Sequence, residues 1–285
     1  MRGSRADIIN YLCTQMGDLY PAEEARRIAR IVAAHKCKES EIKFLIEPNE
    51  IIEIEDIEHI AKELAAGRPA QYITGECEFC GIKFTIREGA LIPRPETEEL
   101  VMWAAERAKD MTLPRIADIC TGSGCIAISL AKLLPNAIIT ATDISDEAIS
   151  LAKENVAHTG AEVKIIRDDA LGGLQALQGE MYDIIVSNPP YIPLSERKTM
   201  HINVTHHEPH IALFVEDNNP LLFYRKIAQA AKEILRDKGC LMFEIHSPLA
   251  EECAQMLQNE EYSEIEIRKD FFSRDRMICC KRLSK

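Results

Sequence analysis

The run Ala117-Asp118-Ile119-Cys120-Thr121-Gly122-Ser123-Gly124 passes from an apolar strand into a glycine turn, and Cys125–Leu133 then carries helical spacing. A strand that turns through glycines into a helix opens a βαβ unit. The glycines let the backbone approach a ligand, and the helix N-terminus presents free N–H groups. The same alternation runs outward in both directions. Strands are predicted at Arg115–Cys120, Ala137–Thr142, Glu162–Ile166 and Tyr182–Ser187, with helices at Cys125–Leu133 and Asp146–Val156 between them. Pro220–Leu235 reads as a helix and Cys240–Ile245 as a strand, and two late strands over 262–269 and 275–282 close the chain. Such a pattern specifies an α/β fold, a doubly wound and mostly parallel sheet with one antiparallel edge hairpin.

The fourth strand ends at Asn188-Pro189-Pro190-Tyr191. Neither proline donates a backbone hydrogen bond and each fixes φ near −65°, so the turn is stiff and the Pro189 carbonyl is left to accept. Asn188 adds a side-chain carbonyl and Tyr191 a flat apolar face with a polar tip. Two acceptors beside an aromatic plate suit a planar –NH₂ group, either an amide or an exocyclic amine. A plain strand-terminating turn explains Asn-Pro-Pro equally well when the tetrapeptide is read alone.

Upstream residues decide between those readings. Gly122 and Gly124 sit at the first strand-to-helix turn, Asp143 ends the second strand, and Asp169 follows the third, next to Ala170. A carboxylate at Asp143 can accept from both hydroxyls of a ribose, and Asp169 is placed to meet an adenine amine. Asp118 suits contacts to the loop Cys120–Gly124 and to an amino-acid moiety. The row therefore reads as a nucleoside site. A nicotinamide enzyme requires the full G-x-G-x-x-G, yet Cys120 and Ala127 stand where its outer glycines belong. No G-x-x-x-x-G-K-[ST] occurs, which argues against a nucleotide kinase. Asp118 before the turn and Asn-Pro-Pro-Tyr after the fourth strand fit S-adenosylmethionine.

The remainder of the chain supplies no second constellation. Apolar residues at helical spacing (Ile8, Ile9, Leu12; Ala25, Ile28, Ala29, Val32) predict a small N-terminal helical domain over 1–68. A helix opens after Pro21, and another opens at Asp56 and stops at Gly67. Gly67–Gly75 changes to an extended period that Phe79, Ile82, Phe84 and Ile86 continue around Gly81, so residues 69–92 read as a linking β-hairpin before the α/β domain over 93–285. Leu91-Ile92-Pro93-Arg94-Pro95-Glu96-Thr97-Glu98 is a proline-stiffened helix entry that serves equally as the rim of a site, through Arg94, Glu96 or Thr97.

A net charge of −12 opposes a broad grip on phosphates, so stable nucleic-acid binding is not expected. Nine acids against two lysines between Glu39 and Glu63 form a solvated face or meet a basic partner. The ten cysteines are scattered without a signal-like N-terminus, which argues for reduced thiols in the cytoplasm. Cys77-Glu78-Phe79-Cys80 has metal-like spacing but no second pair, and hairpin packing is the simpler account. His201, His206, His207 and His210 cluster in a loop of roughly 28 residues after Tyr191, of the kind that covers a site. No metal is expected, and no apolar run reaches the roughly 18 residues of a membrane helix.

Taken together these pieces resemble the class I methyltransferases, and more narrowly the HemK family, the glutamine-N5 methyltransferases of peptide-chain release factors. The matching residues are Gly67-Arg68-Pro69 with Gln71-Tyr72-Ile73-x-Gly75, Phe79-x-Gly81, Leu91 to Glu98, Thr121 to Gly124, and Asn188 to Ile192. Glu208-Pro209, Phe223-Tyr224-Arg225 and Asp275-Arg276 agree in order. The Pro-Arg-Pro-Glu-Thr-Glu segment singles out this family, because adenine methyltransferases share Asn-Pro-Pro-Tyr. The resemblance implies transfer from S-adenosylmethionine to the glutamine of a Gly-Gly-Gln tripeptide in a class I release factor. It assigns the cofactor to Cys120, Thr121, Gly122, Ser123, Gly124, Asp143 and Ala170, to which the row read above adds Asp118 and Asp169, with Asn188 at the end of the site. It assigns the amide to Asn188, Pro189, Pro190 and Tyr191, with Arg94 and Glu96 beside it and the helical domain docking a protein substrate. A monomer is expected. The chain departs from the family at Cys120, where glycine is usual, at Ala170, where an aromatic is frequent, and at His246, where glycine is common.

Chemically, Asn188, Pro189 and Tyr191 are the residues expected to act. An amide nitrogen is a poor nucleophile, so positioning and electrostatic stabilisation must carry the reaction. Two rivals remain at this level: N6-adenine or guanine-N2 methylation of DNA or RNA, and a non-catalytic cofactor-binding adaptor.

Overall fold

The computed structural model describes residues 1–283. Two compact units emerge, one of Met1–Glu76 with Met200–His207, the other of Cys77–Thr199 with the chain from Glu208 onward.

In the first unit, strand β1 (Arg2–Ser4) leads into helix α1 (Arg5–Met16), followed by α2 (Ala22–Cys37), α3 (Glu41–Ile46), β2 (Ile51–Glu53), α4 (Ile57–Ala65) and α5 (Ala70–Thr74). Ser4 and Asp7 form a capping box on α1, with Asp7 N donating to Ser4 Oγ at 3.1 Å and Ser4 N donating to Asp7 Oδ2 at 3.0 Å. Ile8, Leu12, Ala29, Val32, Ile60 and Leu64 fill the core between α1, α2 and α4. Buried Arg5 ties the unit together through Glu39 at 2.8 Å and Glu47 at 2.9 Å.

Two features depart from the sequence reading. Antiparallel β1 and β2 pair Arg2 with Glu53, in a region expected to be wholly helical. Within the segment expected to be extended, Ala70–Thr74 forms one helical turn. Pro69 precedes it, Gly75 N donates to the Gln71 carbonyl at 2.8 Å, and Gly75 at φ 74° stops it.

The second unit starts with a β-hairpin, β3 (Glu76–Phe79) and β4 (Ile82–Thr85), turning through Cys80 and Gly81 at φ 50° and 70°. There follow α6 (Pro95–Ala108), β5 (Arg115–Ile119), α7 (Cys125–Leu133), β6 (Ile138–Asp143), α8 (Asp146–Thr159), β7 (Val163–Arg167) and β8 (Tyr182–Ser187). A connection holding β9 (Ile192–Pro193), α9 (Ile202–His207) and β10 (Phe214–Val215) reaches α10 (Leu222–Ile234), β11 (Leu235–Glu244), α11 (Ala250–Asn259), β12 (Tyr262–Lys269) and β13 (Asp275–Arg282). Residues of α9 belong to the first unit.

Seven strands form one sheet in the order β12-β13-β11-β8-β5-β6-β7. The β11/β8, β8/β5, β5/β6 and β6/β7 pairs are parallel, and β13 runs antiparallel to both β11 and β12. The expected α/β doubly wound sheet with its antiparallel edge hairpin is present. Alternation sends Ala117, Ile119, Ile185, Leu241 and Phe243 to one face, where α10 and α11 cover them. Ile116, Ile184, Val186 and Met242 occupy the other face, beneath α6 and α7. From β5 the chain steps to β6 and β7, then returns to place β8 on the other side of β5. The crevice at the carboxyl ends of β5 and β8 is thus the switch point where such sheets bind ligands.

Candidate active site

Those carboxyl ends open into a cavity of about 1090 Å³, open solvent at its mouth included. Gly122 and Ser123 from the β5 turn form part of its wall, with Asp143 and Ile144 after β6 and Asp169, Ala170 and Leu171 after β7. Asn188 and Pro190 close one end, beside Arg94 and Thr97 from the start of α6. Cys120, Thr121, Ala212 and Phe223 also face the space.

Local hydrogen bonds shape each of these groups. Gly122 N donates to Asp143 Oδ2 at 2.9 Å and Ser145 N to Asp143 Oδ1 at 3.0 Å, so both carboxylate oxygens are oriented and each keeps a lone pair for a ligand hydroxyl. Burial raises the Asp143 carboxyl above its ordinary value. Asp118 is fully buried and does not reach the cavity wall. Its Oδ2 accepts from Thr121 Oγ1 at 2.5 Å and Ala127 N at 3.2 Å, while Oδ1 is buried without a partner. Burial pushes this carboxyl up to about 7, against the pull of those two hydrogen bonds. Asp169 Oδ1 accepts from Leu171 N at 2.8 Å and so shapes its own turn. Cys120 holds φ 62°, a left-handed backbone at the position where a glycine would be unstrained.

At the other end, Asn188 Nδ2 donates to Thr97 Oγ1 at 3.2 Å, and Thr97 Oγ1 donates to Glu244 Oε2 at 2.6 Å. Tyr191 OH donates to Glu244 Oε1 at 2.9 Å, and its ring stacks on His246 with centroids 5.9 Å apart. His246 in turn meets Glu196 at 2.8 Å, so the residue standing in place of a glycine covers one face of Tyr191. Burial holds Glu244 above the usual glutamate range, opposed by the Thr97 and Tyr191 hydroxyls and by the charge of Arg276. Burial and the Glu244 charge keep the Tyr191 phenol protonated. Pro189 and a partly exposed Tyr191 adjoin the lining residues Asn188 and Pro190 in the chain.

The remaining sequence-predicted groups go elsewhere. Arg94 lines the cavity but its guanidinium pairs with buried Glu208 at 2.5 Å. Glu96 is half-exposed outside the cavity lining. The four clustered histidines diverge: His201 stacks on Tyr20, His206 meets Thr205, His207 meets the Ala66 carbonyl, and His210 packs edge-on to Phe214. Among the described residues no group of three His, Cys, Asp or Glu side chains could hold a metal ion. Burial pushes the Cys77 and Cys80 thiols up to about 11, which makes them packing groups in the hairpin.

Two residues that serve the site were not singled out in the sequence: Glu244, and Asn155, which holds the glycine turn; Thr97 was expected at the rim, but not its bond to Glu244. Glu244 carried a signal, since it is an acid at the end of the apolar run Cys240–Ile245. A charge there is retained only where partners meet it.

Comparison with known proteins gives this geometry a family. Residues 104–207 match the model of the methyltransferase small domain, and residues 15–75 match that of the PrmC N-terminal domain. A release factor glutamine methyltransferase of Bacteroides thetaiotaomicron is 39% identical over 96% of this chain and 99% of its own length. One from Flavobacterium psychrophilum is 46% identical over 78% of each chain. The chain belongs to the release factor glutamine methyltransferase family. Among solved structures, a methyltransferase from Pyrococcus furiosus is 15% identical with a TM-score of 0.51, over 72% of this chain and 90% of its own. The human methyltransferase 10 domain containing protein is 19% identical with a TM-score of 0.51, over 71% and 90%. Both show the methyltransferase fold. The family resemblance carried by Arg94 to Glu98 and Asn188 to Ile192 thus agrees with relatives that align along nearly the whole chain. No helix among the described residues is long and apolar enough to cross a membrane.

Proposed function

We propose that the chain transfers the methyl group of S-adenosylmethionine to the side-chain amide nitrogen of the glutamine in the Gly-Gly-Gln tripeptide of class I peptide-chain release factors. The observation that carries this reading is the setting of Asn188. Its nitrogen is committed to Thr97, so its oxygen is the atom left to accept from an incoming –NH₂ group. The names of the aligned relatives support the same substrate.

The residues present fit the cofactor. Asp143 offers two oriented oxygens for ribose hydroxyls, apolar Ile144, Ala170 and Leu171 suit an adenine, and the unpartnered Asp118 oxygen lies under the turn where a cation would be welcome. Bound there, S-adenosylmethionine supplies a methyl group already activated by a sulfonium. The chain does the rest by placement. Asn188 Oδ1 and the Pro189 carbonyl accept the two N–H bonds of the glutamine amide, favouring positive charge that builds on nitrogen as its lone pair leaves conjugation. Pro190 and Tyr191 fix the amide plane so that nitrogen faces the cavity. The surplus proton departs to water after transfer, and no general base is required. A monomer acting in the cytoplasm beside the translation machinery is sufficient for this task.

The test is a transfer assay with labelled cofactor. It offers a class I release factor, its Gln→Ala variant at the tripeptide, and undermethylated DNA and RNA. Label on the intact factor alone is the expected result. Label on nucleic acid with none on protein overturns the reading and makes Tyr191 a base-stacking face.

A further inference from the structure

Both functional side chains of the Asn-Pro-Pro-Tyr turn depend on one buried carboxylate. Glu244 ends β11, where Phe243 lies in register with Ser187, so its side chain stands level with Asn188 at the end of β8. It is 2% exposed. Its two oxygens each take one hydroxyl, Thr97 on Oε2 and Tyr191 on Oε1.

The consequence lies in the protons. A threonine hydroxyl has a single hydrogen, and at 2.6 Å that hydrogen is spent on Glu244. Toward Asn188, Thr97 then offers only a lone pair. An amide facing a lone pair must present its –NH₂ end, and its oxygen must point the other way. We propose that Glu244 is the positioning residue that sets the donor–acceptor sense of Asn188, through Thr97, and the tilt of Tyr191 directly. This rests on the reading of Asn188 as the amide acceptor given above. Were Glu244 replaced by a group that donates to Thr97, the threonine hydrogen would turn to Asn188. The asparagine would rotate and offer the substrate an –NH₂ group that repels its own N–H bonds.

Glu244→Gln has the same shape and introduces such a donor. It is expected to keep its melting temperature within a few degrees, its cofactor affinity by calorimetry and its KM for release factor, while kcat falls about 100-fold. Thr97→Ser keeps the hydroxyl and is expected to retain most of the turnover, whereas Thr97→Val is expected to lose it. A Glu244→Gln enzyme within threefold of wild type overturns the proposal. So does a loss of kcat that follows a matching loss of cofactor affinity, or a Thr97→Ser variant as poor as Thr97→Val. Should Glu244→Gln fail to fold, the Thr97 pair decides. If the wild-type chain does not label a release factor, the functional reading fails by itself. The relay is then judged by NMR of the Asn188 side-chain –NH₂ signals, which must shift in Thr97→Val and hold in Thr97→Ser.

Discussion

Asn155 and Ser123 are joined by a 2.9 Å hydrogen bond from the asparagine Nδ2 to the serine carbonyl, across 32 residues of sequence. Asn155 is fully buried on α8, and it also accepts from Thr85 N at 2.8 Å and donates to the Thr85 carbonyl at 3.1 Å. One side chain therefore clamps the glycine turn to the β4 strand. Asn155→Leu strands a buried N–H and two carbonyls, so a loss of about 2–4 kcal/mol in denaturant unfolding is expected. Cofactor affinity should fall with it, because the turn loses its strut. A variant that unfolds like wild type would show that water replaces all three partners.

The two glycines of the turn separate conformation from crowding. A Cβ at Gly124, φ 83°, would lie 3.2 Å from Ile128 Cδ1 and 3.3 Å from Ala152 Cβ. At Gly122, φ 57°, nothing lies within 4 Å of the added carbon. Both substitutions to alanine carry the left-handed strain of about 1 kcal/mol, but only Gly124→Ala also pushes α7 and α8 apart. Gly124→Ala is expected to lower the melting temperature by several degrees more than Gly122→Ala. Gly122→Ala, whose methyl group enters open space beside the cavity, should weaken cofactor binding more than it weakens the fold. Paired thermal melts and calorimetric titrations read both quantities.

How much of this was legible beforehand follows from what each residue does locally. The β8 strand and the α7 helix were readable to the residue, because apolar alternation and a glycine turn write their own boundaries. The Ala70–Thr74 turn was not, since five residues are too few for helical periodicity to show against a flanking extended pattern. Gly122, Asp143 and Asn188 stand out by spacing, which marks residues at strand ends, and Pro190 follows from the family resemblance. Glu244 meets Thr97 across 147 residues and Asn155 meets Ser123 across 32, and only the packing of α6 and α8 on the sheet makes those two contacts. Arg94 was legible as a site residue, but not its engagement with Glu208.

Asp118 makes stability depend on pH in an unusual direction. Its carboxyl is pushed up by burial to about 7, from an unfolded value near 4. Between those values the folded chain keeps a proton that the unfolded chain has released, so this group's contribution to stability falls as pH rises toward 7. Asp118→Asn removes the titration. Between pH 5 and pH 8 the wild-type melting temperature is expected to drop further than that of Asp118→Asn, by an amount worth on the order of 2–3 kcal/mol. A bound cation above the turn favours the ionised form, so wild-type cofactor affinity should rise over the same interval and the variant's should stay flat. Parallel pH profiles for the two proteins would mean that the carboxyl is already ionised at pH 5.

Arg94 answers a different question, whether a charge beside a cavity serves ligand or fold. Its guanidinium is about a third exposed, while the Glu208 side chain it pairs with is only 2% exposed and also takes Ile92 N at 3.2 Å. Arg94→Ala leaves that buried carboxylate with a single backbone donor. Removing one partner of a buried pair is costly, and with the arginine partly solvated about 2 kcal/mol is expected. Adding Glu208→Gln should recover most of the loss, because a neutral amide can still accept from Ile92 without an opposing charge. A fold role thus predicts a double variant more stable than Arg94→Ala alone. A purely ligand-facing role predicts the reverse ordering of effects: unchanged unfolding in Arg94→Ala, a KM for release factor raised several-fold, and no rescue by the second substitution. Denaturant curves and KM values on the same three proteins distinguish the two, and the 2.5 Å pairing argues for the first.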